Sequence, residues 1–242
     1  MRWAEGRVSV DDSVASPRPA SGQWLNDHFF EGISAQTFGL IQFRFENLWL
    51  GPLVLLDFGE PVISANEVSW PIEGGLLAAG PGGYFSVRSD AGSLTARISA
   101  YRPSLPRRIY EATQLQLHHG MVRLQLLRLR GRSPVAGIPA SPIRRVAAAA
   151  IDLALCAAIA KAVSRRGRFT AMLGIAIGYH VVSWSSSGRT LGGIAMGQRV
   201  VSTDGSRPTF TQAVLRLMAL PIAAFKLRAF HDDIAATDVI EN

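Results

Sequence analysis

"RRVAAAAIDLALCAAIAKAV", residues 144–163, is the stretch on which the fold turns. As a helix, residues 146–163 reach about 27 Å at 1.5 Å per residue, close to the thickness of a bilayer's hydrocarbon core. Near the first third of the run stands Asp152. A carboxylate at the centre of hydrocarbon costs roughly 2.5–3.5 kcal/mol on insertion scales. A membrane helix that carries one needs a polar partner for it, so the rest of the chain must supply that partner.

The surrounding composition agrees with a membrane segment. Hydrophobic residues make up 48% of the 242, and they are concentrated after residue 145, which separates a soluble first half from an apolar second half. The net charge of +7 comes almost wholly from arginine, with lysine only at Lys161 and Lys226. No stripe of interleaved basic and aromatic residues is present, so nucleic acid is not expected as a partner. The lipid bilayer is, with arginines flanking its apolar segments on the cytosolic side. A single cysteine, Cys156, lies inside the apolar run, which excludes an intrachain disulfide and any cysteine-based metal motif. No cofactor and no metal are expected. The opening "MRWAEGRVSVDDSV" has no apolar core of a secretory signal, so residues ahead of 145 are expected to stay in the cytosol.

Working backwards, "GRSPVAGIPASP" (131–142) has three prolines and two glycines and is expected to be a linker. Residues 21–130 form the expected soluble β-rich domain, and residues 1–20 a disordered lead-in. "FGLIQFRFENLWLGPLVLLDFG" alternates in places, and "YFSVRSDAGSLTARISAY" predicts a hairpin closed around Asp90-Ala91-Gly92. The stretch 107–130 fits two patterns. Leu115, Val122, Leu126 and Leu129 fall at helical spacing behind Pro106, while Val122, Leu124 and Leu126 also alternate and Gly120 could close a hairpin. One long amphipathic helix is the preferred assignment.

Working forwards, "FTAMLGIAIGYHVVSWSS" from residue 169 follows the first apolar segment after only Ser164-Arg165-Arg166-Gly167-Arg168, which forces a helical hairpin. Gly174 and Gly178 make a small-xxx-small pair suited to close helix contact, and hence to a homo-oligomer or a larger membrane complex. The third segment, 210–230, is interrupted by Arg216 and Pro221, so it either spans or lies in the interface. The expected fold class is therefore α+β: a cytosolic β-rich domain with a long helix, then an all-α transmembrane domain over 143–242. That domain holds three helices, or two and one interfacial helix. Arginines before the first segment (Arg123, Arg128, Arg130, Arg132, Arg144, Arg145) and in the 187–209 loop (Arg189, Arg199, Arg207) outnumber the basic residues at the other end. Those are Arg165, Arg166 and Arg168 in the short loop, with Lys226 and Arg228 in an outer tail. The soluble domain is thus expected inside.

Arg145 and Asp152 lie two turns apart on one helix face, and the expected partners of Asp152 are Arg216 and His180. With "GRTLGGIAMGQRVVSTDG" (188–205) and "HDDIAATDVI" (231–240), they resemble the RDD family of bacterial membrane proteins. The matching positions are Arg145, Asp152 and Asp232, joined by Gly188, Thr190, Gly192, Gly197, Arg199, His231, Thr237 and Val239. Gly193 departs from the family's usual lysine, and Ala236 from its usual glycine. Since some members of that family have been linked to sodium/proton exchange, the resemblance implies a cation or proton transport component built around Asp152. An accessory subunit of a larger membrane complex is the alternative.

The first half is similar to helix-grip domains of the START and polyketide-cyclase type, through its strands, its Tyr101-Arg102-Pro103 turn and its long final helix. That likeness implies an apolar ligand cavity and a third function, a membrane-tethered binder of an apolar ligand. His118 and His119 point about 100° apart on a helix and make a poor metal pair. No nucleophile elbow, zinc signature or acid/base pair is recognisable, so an enzyme is not expected.

Overall fold

Alternate valines account for the first long strand. In "RVSVDDSVA" Val8, Val10 and Val14 are buried while Arg7, Asp11 and Ala15 face out, the two-residue period of a half-covered sheet. This strand, β2 (Arg7–Ala15), pairs with a short β1 (Arg2–Ala4). The expected disordered lead-in is therefore incorrect for most of residues 1–20: the outward serines and aspartates lower the mean polarity contrast, but the inward valines belong to the core. The computed structural model describes residues 1–164, 167–226 and 230–242. Arg165, Arg166 and Arg228, which enter the charge asymmetry, lie outside them. Two compact units result, Met1–Gly131 and Arg132–Asn242.

In the first unit β2 is followed by α1 (Gly22–His28) and α2 (Ile33–Gln36). Then come β3 (Ile41–Arg44), β4 (Asn47–Leu50), β5 (Leu53–Phe58), β6 (Val62–Ile63), β7 (Glu67–Gly74), β8 (Tyr84–Asp90) and β9 (Ser93–Tyr101). Two helices close the unit, α3 (Arg107–Ala112) and α4 (Gln114–Arg130). The antiparallel sheet runs β1-β2-β9-β8-β7-β5-β4-β3, with β6 on β7, so the unit's first long strand lies beside its last. The β8–β9 hairpin forms as its turn residues predict, Asp90 opposite Ser93. The ambiguous 107–130 stretch is helical, broken only at Thr113. Leu115, Val122, Leu124, Leu126 and Leu127 are buried, each contributing roughly 1.5–3 kcal/mol of apolar burial. One long helix thus lies across the sheet, and two short helices fall between its second and third strands in sequence.

The second unit contains α5 (Pro142–Val163), α6 (Arg168–Ser187), α7 (Leu191–Ala195), β10 (Gln198–Ser202), α8 (Phe210–Lys226), α9 (Phe230–Ala235) and β11 (Thr237–Glu241). Ser141 caps α5 and Pro142 takes its first turn, where a missing N–H costs nothing. Gly188 ends α6 at φ +73°, and a β-carbon there would meet the Val200 carbonyl oxygen at 2.4 Å. The segment before α5 is not a free linker. Ala140 N donates to Val239 O at 2.9 Å and Glu241 N to Ile138 O at 2.8 Å, so it lies along β11, which itself pairs with β10.

This pairing corrects the expected topology. The residues after α8 do not form an outer tail; β11 brings them to the end of the unit where α5 begins and α6 finishes. Among the described residues only α5 is both long and apolar enough to cross a membrane. The packing of α5 is the reverse of a soluble core helix. Its buried row is Ala148, Asp152, Cys156 and Ala160, while Val146, Ile151, Leu153, Ile159 and Val163 are exposed.

Candidate functional site

Two features of the molecule have the chemistry of sites, one in each unit. In the first, a cavity of about 320 Å³ lies between α4 and the sheet. Sheet residues Leu55, Phe58, Ile72, Phe85 and Ile98 form one wall, Phe29, Phe30 and Ile33 close one side, and α4 forms the other wall. The α4 wall is a single helical stripe, Gln114, Leu117, His118, Met121, Val122 and Gln125, at i, i+3, i+4, i+7, i+8 and i+11. Phe29 and Phe30 are held in place by rings: Phe30 stacks on Phe43 at 3.9 Å and Phe29 packs against Phe85 at 5.2 Å.

His118 and His119 both turn to Asp12 on β2, His119 Nδ1 at 2.7 Å and His118 Nε2 at 3.5 Å. Burial, the largest influence, raises the Asp12 pKa, but the bonds to the two imidazoles outweigh it and leave the carboxyl below its ordinary value. The pair therefore ties β2 to α4. No group of His, Cys, Asp and Glu among the described residues is arranged to hold a metal ion.

In the second unit Arg145 and Asp152, on one face of α5, have different partners. Asp152 Oδ1 accepts from Tyr179 Oη at 2.7 Å and from the Gly192 amide at 2.8 Å, and Leu191 N donates to the same Tyr179 oxygen at 2.6 Å. His180 donates through Nδ1 to Ala176 O at 2.8 Å, and its Nε2 stands 4.0 Å from Asp152. Thr190 caps α7 by accepting from Gly193 N at 3.0 Å. Gly192 is obligatory for this docking: a β-carbon would lie 2.1 Å from Ala148 O and 2.9 Å from Asp152 Cγ.

The expected pairing of Asp152 with Arg216 does not form. Arg216 and Arg145 both donate to Asp232, from α8 and α5, and Thr237 Oγ1 accepts from Arg216 at 2.8 Å. Asp232 and Thr237 are buried, as is Arg216, whose guanidinium also lies 5.0 Å from the Trp184 ring. Gln212 completes the junction, donating to Ala235 O at 2.9 Å and accepting from Ser202 at 2.9 Å. Arg145 is near the start of α5, so this cluster belongs to the end of the helix, while Asp152 stands about 10.5 Å further along the axis. His231, 3.4 Å from Arg145, is pushed down to about 3 by burial and by the charges of Arg216 and Arg145, and is neutral at physiological pH.

Residues 167–231 match the RDD family model. This stretch of the chain is an RDD family region. No curated protein and no solved structure matches the chain. The match includes His180, Gly188, Thr190, Gly192, Gly197, Arg199, Arg216 and His231. Arg145, Asp152, Asp232 and Thr237 lie outside the matched residues, yet they are what the matched part of the RDD region grips. RDD being a membrane domain, the exposed apolar side chains of α5 have a physical reason.

Of the positions singled out in the sequence, Arg145, Arg216, His231, Asp232 and Thr237 form one cluster. Asp152, His180 and Gly192 form another, which Thr190 supports. Gly197 and Arg199 are in neither: Gly197 turns the chain into β10 at φ +65°, and Arg199 is exposed on β10. Tyr179, Gln212 and the Gly192 amide were not foreseen. Tyr179, adjacent to His180 in a segment already assigned to the membrane, was a further polar signal available for Asp152.

Proposed function

We propose that this protein is a membrane-anchored binder of an apolar ligand, held in the cavity of its first unit, with the RDD region as its anchor. The observation that carries this is the lining of the cavity, where a sheet wall and a helix stripe converge on about 320 Å³ of nearly all-apolar surface. Well-packed cores leave few voids larger than a water molecule, so a space of this size is one that a ligand fills. The charged residues of the RDD region act as clasps that dock α7, α8 and α9 on α5. The excess of arginines at the α5 start supports a cytosolic first unit in the plasma membrane, and α6 and α8 would add further membrane-embedded segments. Gly174 and Gly178 have open space beside them, which supports a homo-oligomer or a larger complex.

The test is saturable uptake of a polarity-sensitive apolar dye by the full chain in lipid nanodiscs, with empty nanodiscs as the blank. Met121→Trp should fill the cavity and abolish the uptake while leaving membrane attachment intact. Dye signal no greater than the blank would refute the reading.

A second reading, proton or cation movement, rests on Asp152 with His180 at 4.0 Å. In reconstituted vesicles it requires pH-dependent cation flux that Asp152→Asn removes without disturbing assembly. Its support is smaller, because Tyr179 and Gly192 already occupy one carboxylate oxygen.

A further inference from the structure

The cavity is apolar, but its α4 wall carries neutral amides whose hydrogen-bonding capacity is not used. Gln125 is only 2% exposed, lines the cavity, and its Nε2 has no hydrogen-bond partner. Gln114 gives its Nε2 to Tyr101 Oη at 2.7 Å, and its buried Oε1 has no partner. Both belong to the one stripe of α4, eleven residues apart, or about 16 Å along the axis. A buried amide left unpaired is destabilising, so two on the wall of one cavity point to what fills it. The lining contains no Lys, Arg, Asp or Glu. A ligand carboxylate or phosphate inside would lose its water and gain no lysine or arginine in exchange.

We infer that the cavity takes an uncharged amphiphile: an apolar body with a neutral oxygen, a hydroxyl or a carbonyl, seated on the Gln125 amide. The body lies along the aromatic and aliphatic wall, and the oxygen accepts from Gln125 Nε2. A hydroxyl toward the other end could also donate to Gln114 Oε1. Neutral amides select neutral oxygens because they supply one hydrogen bond without a charge to balance. The inference rests on the ligand-binding reading above and adds the class of ligand.

The experiment displaces the same dye from the full chain in nanodiscs with three probes of one length, dodecanol, dodecane and dodecanoate, at neutral pH and corrected by empty nanodiscs. Dodecanol should displace at about tenfold lower bound-lipid concentration than either of the others, the factor expected of one buried hydrogen bond. Gln125→Leu should erase the advantage of dodecanol over dodecane, with the circular-dichroism spectrum and melting temperature reporting that the variant is folded. If the variant fails to fold, the ranking of the probes on the unaltered chain decides. Dodecanoate ranking first, or all three displacing equally, overturns the uncharged-amphiphile class while dye uptake leaves the binding reading standing. No dye uptake at all overturns both.

Discussion

Gly192 and Asp232 show how single residues hold the RDD region together. An added methyl at Gly192 would overlap the Ala148 carbonyl and the Asp152 carboxylate, neither of which can withdraw without disturbing α5. Gly192→Ala should therefore destabilise the region by about 1–3 kcal/mol, as overpacking does, visible as a lower melting temperature in detergent. In the detergent-solubilised monomer Gly174→Ala, where a single chain leaves the space open, should be neutral or stabilising by up to about 1 kcal/mol from helix propensity. Equal effects from the two would refute the close-approach argument. At Asp232, removal of the carboxylate takes from Arg145 and Arg216 the counter-ion to which both are hydrogen-bonded. Asp232→Ala should cost about 3–5 kcal/mol, and Arg216→Met in the same chain should restore part of that. His231 adds a pH dependence. Its pKa is near 3 in the folded protein and near 6.5 when unfolded, so the unfolded chain binds the extra proton between those values. The stability it contributes is complete above about 6.5 and is lost as pH falls toward 3. His231→Gln should flatten the acid limb of melting temperature against pH relative to the unaltered chain.

Elements were legible in the sequence where periodicity and turn chemistry agreed, and illegible where contacts came from far along the chain. The β8–β9 hairpin follows from alternation around Ala91-Gly92, and α4 from leucines at helical spacing. In β2 only three valines face inward among serines and aspartates, and its pairing partner is some eighty residues away, so a polar lead-in was the natural expectation. The same holds for Asp152. One of its two donors is a backbone amide at Gly192, a group with no sequence signature, while Arg216 was drawn off by Asp232 through the fold-back of α9 and β11. The role of β2 is testable. Deleting residues 1–15 removes β1 and β2 and exposes the Ile98 and Leu94 side of β9. With Val8, Val10 and Val14 worth roughly 1.5–3 kcal/mol each, the loss is comparable to the whole stability of a typical domain. The truncated chain should lose its strand circular-dichroism signal and dye uptake together. Retention of both would show that the sheet closes without β2.

At the scale of the whole molecule, the α5 surface and the β10–β11 pairing together constrain how the chain meets a bilayer. The large side chains of α5 face outward, so Leu153→Lys with Ile159→Lys should cost roughly 2.5–3.5 kcal/mol per charge at the helix centre and move the protein from the membrane fraction to the alkaline-extractable one. The pairing makes a stronger demand on sidedness. Ala140 bonds to Val239 and β11 runs antiparallel to β10, so Ser141, the 198–202 strand and Asn242 lie at one end of the second unit. A chain whose α8 crossed the membrane and left its tail outside could not make these bonds. Arg144, Arg189 and Arg207 gather at that same end, and such clustering favours the cytosolic face. Cys156, the one native thiol, is fully buried and should stay silent to a membrane-impermeant maleimide. Ser141→Cys and Asn242→Cys should accordingly behave alike: both unlabelled in intact cells and both labelled once the membrane is opened. Labelling of both from outside would invert the orientation but keep the fold-back. Labelling of Asn242→Cys alone would overturn the fold-back itself, because no arrangement of β10 and β11 in one layer permits the two sites to lie on opposite sides of a bilayer.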